Sequence, residues 1–267
     1  MKIAIVGGGN MGQAMVTAFL NKKIVRPADL LVVDRNEERQ RFFTAKKIRT
    51  CVGTRHVLSL RGYDVIFLAV KPQDMADLLA AIRDWIGPKA LVISIAAGVT
   101  IERMTGLLGR HKIVRCMPNT PAQIQQGVTG WTANQSVTVA DKKRVERLLS
   151  ALGAAIYFPD EAKLDAVTAV SGCGPAYVFY FMEAMTAGAK EVGFSEQQAR
   201  ALVLGTFMGA TQLVATTGET PSTLRAKVAS KKGSTAAATE YLDSNKVTSL
   251  IVEAMQKALQ RAQELNI

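Results

Sequence analysis

The chain has 267 residues, 48% of them hydrophobic, enough to bury a large core in one or two domains. Its formal net charge of +11 raises nucleic-acid binding, but the basic residues are scattered, few aromatics interleave with them, and no finger, homeodomain or RNA-binding signature accompanies them. No apolar run approaches the ~20 residues of a membrane span.

The positive surplus is therefore expected to be solvated surface that attracts small anions, with no nucleic-acid and no membrane partner. The start has no signal-peptide layout, so the mature chain is expected to begin at Met1. Cys51, Cys116 and Cys173 are odd in number, far apart and without metal-ligand spacing, which predicts a reducing, cytoplasmic setting and no metal site.

Residues 2–6 (KIAIV) form a short β-branched apolar run, as a buried parallel strand does. They lead into Gly7-Gly8-Gly9-Asn10-Met11-Gly12, the G-x-G-x-x-G spacing, and then into helical periodicity at Met11, Ala14, Met15, Ala18 and Phe19. Gly7 permits a tight turn, Gly9 lets backbone N–H groups approach a pyrophosphate, and Gly12 lets the helix pack closely on the strand. The anion would lie on the positive end of that helix. Val6 through the glycine turn, namely Gly7, Gly8, Gly9, Asn10, Met11 and Gly12, are thus candidate dinucleotide-binding residues.

The next strand, 30–33, ends in Asp34. An acidic side chain here accepts from the ribose 2′-OH of NAD, whereas an arginine accommodates the 2′-phosphate of NADP. Asp34 and Arg35 point to different cofactors, with Asn36 and Arg39 at hand for a phosphate. NADPH is the expected cofactor, with NADH as the alternative.

A helix over 37–46, a strand over 65–70 (VIFLAV), a helix over 75–85, a strand over 91–95 and a helix over 101–108 follow. Strands 112–117 and 128–132, a helix 140–152 and a last strand 155–158 complete the alternation. Such a pattern predicts a Rossmann-type, doubly wound, mostly parallel sheet over 1–160, with ligand at the carboxyl ends of its strands. Three of those ends carry small, rigid or hydrogen-bonding residues: Ala69-Val70-Lys71-Pro72, Ala96-Ala97-Gly98 and Pro118-Asn119-Thr120-Pro121. One such loop is ordinary turn chemistry. Three together predict a shared ligand crevice.

Past Pro159 the pattern turns wholly helical, over 164–170, 176–192, 197–216 and 247–265. The 176–192 stretch is apolar nearly all round and must be covered on every side, within its domain or by a second subunit. A subunit interface is expected, in an all-α domain over 161–267.

The opening Ile5-Val6-Gly7-Gly8-Gly9-Asn10-Met11-Gly12, together with Ala69-Val70-Lys71-Pro72-Gln73, Ser94-Ile95-Ala96-Ala97-Gly98, Met117-Pro118-Asn119-Thr120-Pro121 and Ser171-Gly172-Cys173-Gly174-Pro175-Ala176-Tyr177, resembles the Δ1-pyrroline-5-carboxylate reductases of proline biosynthesis. The resemblance runs nearly end to end. It implies NAD(P)H-dependent reduction of the cyclic C=N bond to L-proline, a C-terminal helical domain that makes homodimers, and assembly of those dimers into larger oligomers. Alternatives are reduction of another cyclic imine carboxylate, or a non-catalytic NADP-binding relative. A β-hydroxyacid dehydrogenase shares the layout but needs a catalytic lysine that 175–183 lacks.

The family's substrate loop, Ser-Pro-Gly-Gly-Thr-Thr, is here Ser230-Lys231-Lys232-Gly233-Ser234-Thr235. Ser230 and Thr235 still offer hydroxyls, and Gly233, Ser234 and Thr235 can present N–H groups at the start of a helix over 236–242. Ser230, Gly233, Ser234, Thr235, Pro118 and Asn119 are the candidate substrate residues. A pre-protonated imine would serve as proton source, or a water held by Thr235 or Ser171, the two candidate catalytic residues. Lys231 and Lys232 are expected to face solvent, and a lysine at 232 fits a glycine conformation poorly. His56 and His111 are expected to be structural or solvent-facing.

Overall fold

Short strands with no polar face must be covered on both sides, and four of the eight strands are of this kind. In a computed structural model, which describes residues 1–53, 60–109 and 111–266, β1 (Ile3–Val6), β2 (Leu30–Asp34), β4 (Val65–Leu68) and β5 (Leu91–Ser94) are buried at every position. With β3 (Arg49–Val52), β6 (Lys112–Met117), β7 (Gly127–Ala133) and β8 (Gly153–Tyr157) they form one sheet in the order β3-β2-β1-β4-β5-β6-β7-β8. All pairings are parallel except β6 with β7. This is the expected α/β architecture. The chain leaves β1 in one direction across the sheet and returns at β4 in the other, so the strand order reverses between them.

Successive strand residues face opposite layers. Ile3 and Ile5 join the core under α1 (Asn10–Asn21) and α5 (Val139–Leu149), with Met15, Phe19, Val145 and Leu148. Ala4 and Val6 join the other core, under α3 (Met75–Ile82) and α4 (Ile101–Leu108), with Leu78, Leu79 and Met104. Each large side chain buried this way contributes about 1.5–3 kcal/mol. The α5 start is set by a capping box in which Thr138 and Asp141 exchange hydrogen bonds, and Lys112 reaches the same carboxylate at 2.7 Å.

Local differences from expectation have local causes. The sequence pattern passed over β3 because this edge strand is half exposed and carries Arg49 and Thr50 in place of an apolar run. The helix expected at 164–170 divides into α6 (Lys163–Val167) and a π-helical turn, Thr168–Gly172. Helix α9 (Pro221–Val228) was not expected; it buries no residue and so shows no apolar stripe.

The chain forms two compact units, Met1–Gly174 with Ala258–Ile267, and Pro175–Lys257. Residues 161–174 group with the sheet in this division, where Glu161 and Asp165 pair with the buried Arg115 of β6. The second unit holds α7 (Gly174–Glu191) beyond its first residue, α8 (Glu196–Thr217), α9, α10 (Ser234–Ser244) and the first part of α11 (Val247–Glu264). Helix α7 buries none of its residues within the chain, leaving Phe179, Tyr180 and Met185 exposed. No single described helix is long and apolar enough to cross a membrane.

Candidate active site

At the β1/β4 reversal the carboxyl ends of the strands enclose a crevice of about 1110 Å³. Its floor is the glycine turn. Gly7 has φ +111°, and a Cβ there would collide with the Ala69 carbonyl; a Cβ on Gly12 would collide with the Gly7 carbonyl. Both glycines are required by the protein's own packing. Gly9 is different: nothing lies nearer to its missing Cβ than the Arg39 guanidinium at 4.0 Å. Gly9 also caps α1 without any side chain, so the N–H groups of the first turn meet no side-chain cap beside the crevice. A bare helix start with open space above it, flanked by a guanidinium, suits a pyrophosphate. The residues present therefore fit a dinucleotide.

Asp34 faces inward and is buried. Its carboxylate accepts the Gly8 N–H at 2.6 Å on one oxygen and the Asn36 N–H at 2.7 Å on the other. Arg39 lies 3.5 Å from the first oxygen. Asn36 caps α2 (Glu37–Thr44) by accepting the Arg39 N–H. The acidic side chain at this strand end thus braces the glycine turn from the crevice wall. Arg35 reaches over the crevice to Asp74, 3.0 Å away. Arg35, Asn36 and Arg39 all line the mouth.

Of the other sequence candidates, Val6, Gly7, Gly9, Asn10, Asp34, Arg35, Asn36, Ala69, Val70 and Lys71 line the crevice. Gly8, Met11, Gly12, Pro72, Ala96, Ala97 and Gly98 do not. Gly98 has φ +74°, and a Cβ there would collide with the Leu265 carbonyl, so its bareness serves a backbone-on-backbone contact. Pro118 is buried. Asn119 and Ser171 come together: the Asn119 amide donates to the Ser171 carbonyl at 3.2 Å and its hydroxyl at 3.3 Å, while its own carbonyl accepts the Val128 N–H. The π turn thereby docks on the β6–β7 connection. Such turns recur at functional sites.

In the helical unit, Gly233 donates its N–H to the Ser230 carbonyl at 2.9 Å and caps α10, with Ser234 and Thr235 as the first residues of that helix. A Cβ at Gly233 would collide with the Ser230 hydroxyl. Lys231 and Lys232 are exposed, and Lys232 sits in the left-handed region at φ +61°. His111 lies at the amino edge of β6, away from the crevice; its Nδ1 is buried without a partner, and burial lowers its pKa. His56 lies outside the described residues.

Gln73 and Asp74, from the loop after β4 that the sequence singles out, also line the crevice, whereas Gly53, after the unforeseen β3, and Asp77, in the first turn of α3, carry no advance signal. Among the described residues no cluster of side chains could hold a metal.

A family model for pyrroline-5-carboxylate reductase dimerisation matches residues 161–265, and one for NADP oxidoreductases, coenzyme F420-dependent, matches residues 2–98. The pyrroline-5-carboxylate reductase of Pseudomonas aeruginosa is 38% identical over 99% of this chain and 96% of its own. The chain belongs to the pyrroline-5-carboxylate reductase family. Another relative of that name, from Haemophilus influenzae, is also 38% identical, over 98% of this chain and 97% of its own. The reductase structure from Coxiella burnetii superposes with a TM-score of 0.92 at 33% identity, covering 100% of this chain and 98% of that one. The Plasmodium falciparum structure, solved with NADP bound, gives 0.89 at 26%, with the same coverage. As a member of that family the chain is an NAD(P)H-using oxidoreductase.

Proposed function

We propose that this chain reduces Δ1-pyrroline-5-carboxylate to L-proline in the cytoplasm. The reading is carried by the bare start of α1 at Gly9, open to the crevice, in a chain that matches these reductases from end to end. Bound NAD(P)H supplies the hydride, which adds to the imine carbon while a proton goes to nitrogen. The chain's own residues bind and orient.

The first N–H groups of α1 hold the pyrophosphate, and Arg35, Asn36 and Arg39 hold a 2′-phosphate. Two guanidinium groups, Arg35 and Arg39, and the Asn36 amide stand at the mouth beside Asp34, which favours NADPH. Gly233, Ser234 and Thr235 offer N–H groups and a hydroxyl to the substrate carboxylate, with Ser230 beside them. The proton comes with a pre-protonated imine or from a water held by Ser171, which Asn119 pins, or by Thr235. Holding the two reactants face to face supplies several kcal/mol of the barrier reduction, about 7 at the lower end of well-oriented systems. The exposed apolar face of α7 pairs with a second copy in a homodimer, and light scattering separates a dimer from an assembly of dimers.

The test is the initial rate of NADPH and NADH oxidation with Δ1-pyrroline-5-carboxylate, in wild type and in Thr235→Ala and Arg39→Ala variants. Expected are turnover with preference for NADPH, a sharp fall in Thr235→Ala, and loss of the NADPH preference in Arg39→Ala. Tight NADPH binding without any turnover would leave a non-catalytic relative. Turnover only with a six-membered imine carboxylate would change the substrate.

A further inference from the structure

The last turn of α11 and the two residues after it return to the sheet unit and close a buried charged network there. Arg115 on β6, itself only 4% exposed, donates to Glu161 at 2.9 Å, to Asp165 at 3.1 Å and to the Asn266 side-chain carbonyl at 3.4 Å. The Asn266 amide donates to the second Asp165 oxygen at 2.7 Å. One guanidinium thus gathers two carboxylates and a carboxamide from segments up to 151 positions apart in sequence.

This network and the residue before Asn266 hold the segment 96–101, which follows β5 at the carboxyl edge of the sheet, at two points. At one, Gly98 lies with its backbone directly against the Leu265 carbonyl. At the other, Glu161 accepts the Ile101 N–H at 2.9 Å, the first residue of α4. The start of the segment is set separately, by the Ala96 N–H on the Ser94 hydroxyl. None of these network residues lines the crevice. A contact of Ala96 or Ala97 with a bound nicotinamide would therefore depend on a support that comes from the far end of the chain.

We propose that Asn266, through Arg115 and Glu161, is a positioning residue for nicotinamide binding: it fixes the 96–101 segment from behind without touching the cofactor. The inference rests on the proposed function and on the sequence expectation that the loop 96–98 meets the nicotinamide. Removing the carboxamide leaves Arg115 with its two carboxylates, so the fold stays intact. What loosens is the seat of Leu265 against Gly98.

The experiment is a direct titration of NADPH by fluorescence, without imine, in wild type and in Asn266→Ala and Asn266→Gln, with steady-state kinetics and thermal unfolding alongside. Asn266→Ala is expected to weaken NADPH binding threefold to tenfold and to raise its KM equally, with the imine KM unchanged. Asn266→Gln, which keeps both the donor and the acceptor, is expected to recover part of the loss. Binding of 2′-phospho-ADP-ribose, which lacks the nicotinamide ring, is expected to be equal in all three. Equal NADPH affinity in Asn266→Ala and wild type would overturn the inference and leave the reductase reading standing. Weakening of both ligands alike would overturn it too, as the mark of a general loss of structure. A wild-type chain that binds neither ligand would sink the function reading and this inference together.

Discussion

Replacing Asp34 with asparagine separates a bracing role from a ribose-reading role. Two backbone donors, Gly8 N–H at 2.6 Å and Asn36 N–H at 2.7 Å, converge on separate oxygens of this buried carboxylate. Asparagine offers one oxygen, so one N–H must face an NH2 group. Losing a hydrogen bond to a charged partner costs about 1.5–3 kcal/mol, and a buried donor left unmet costs about 1–3 kcal/mol, partly the same energy counted twice. A net loss of roughly 2–4 kcal/mol follows, which for a chain of this size is a fall in Tm of roughly 5–15 °C. Because the Gly8 N–H belongs to the pyrophosphate turn, both cofactors should weaken together. Thermal unfolding and separate NADPH and NADH titrations measure this. A variant with wild-type Tm that has lost affinity for NADH alone would refute the reasoning and return Asp34 to the ribose.

Gly12→Ala drives a Cβ into the Gly7 carbonyl and should cost about 1–3 kcal/mol with a clear loss of NADPH affinity. Gly106→Ala on α4, where a Cβ meets nothing, is the control and should match or exceed wild-type stability in the same unfolding assay. Lys232→Gly relieves a left-handed lysine worth about 1–2 kcal/mol, less about 0.5–1 kcal/mol of added chain freedom, so a small gain in urea midpoint is expected and a loss would contradict it. Burial raises the Asp141 carboxyl, but hydrogen bonds from Lys112 and Thr138 outweigh it and hold the group below its ordinary value. Its stabilising contribution is therefore complete above the ordinary carboxylate range, near pH ~4, and disappears as pH falls through the depressed folded value. Lys112→Met should accordingly be less stable than wild type at pH 7, with the gap closing toward pH 3. A gap that widens in acid would show the sign to be wrong.

What could be read in the sequence was what local chemistry encodes. Strands β1, β4 and β5 announce themselves because burial on both faces leaves no place for a polar residue, and the glycine turn because its spacing answers two separate steric demands. Strand β3 stayed hidden because a half-exposed edge strand has no such constraint. At the site, the strand-end acid was visible but its orientation was not. Whether Asp34 faces a ribose or the Gly8 N–H depends on a partner 26 positions away. Gly98 was visible as a small residue, yet the group filling the space beside it is the Leu265 carbonyl from the other end of the chain. The Arg115 network is assembled from three segments, and no window on the sequence contains it.

The return of residues 258–266 to the sheet unit also bears on how the protein is made. A nascent chain presents β1 through β8 first, and domains generally fold as units, the N-terminal one first, during synthesis. Here the nucleotide-binding unit remains one segment short until the helical unit has been translated in full. Arg115 waits on β6 with Glu161 and Asp165 but without its carboxamide, and Gly98 without the carbonyl it packs against. Completion of the cofactor-binding half is thereby delayed until residues 258–266 have been made.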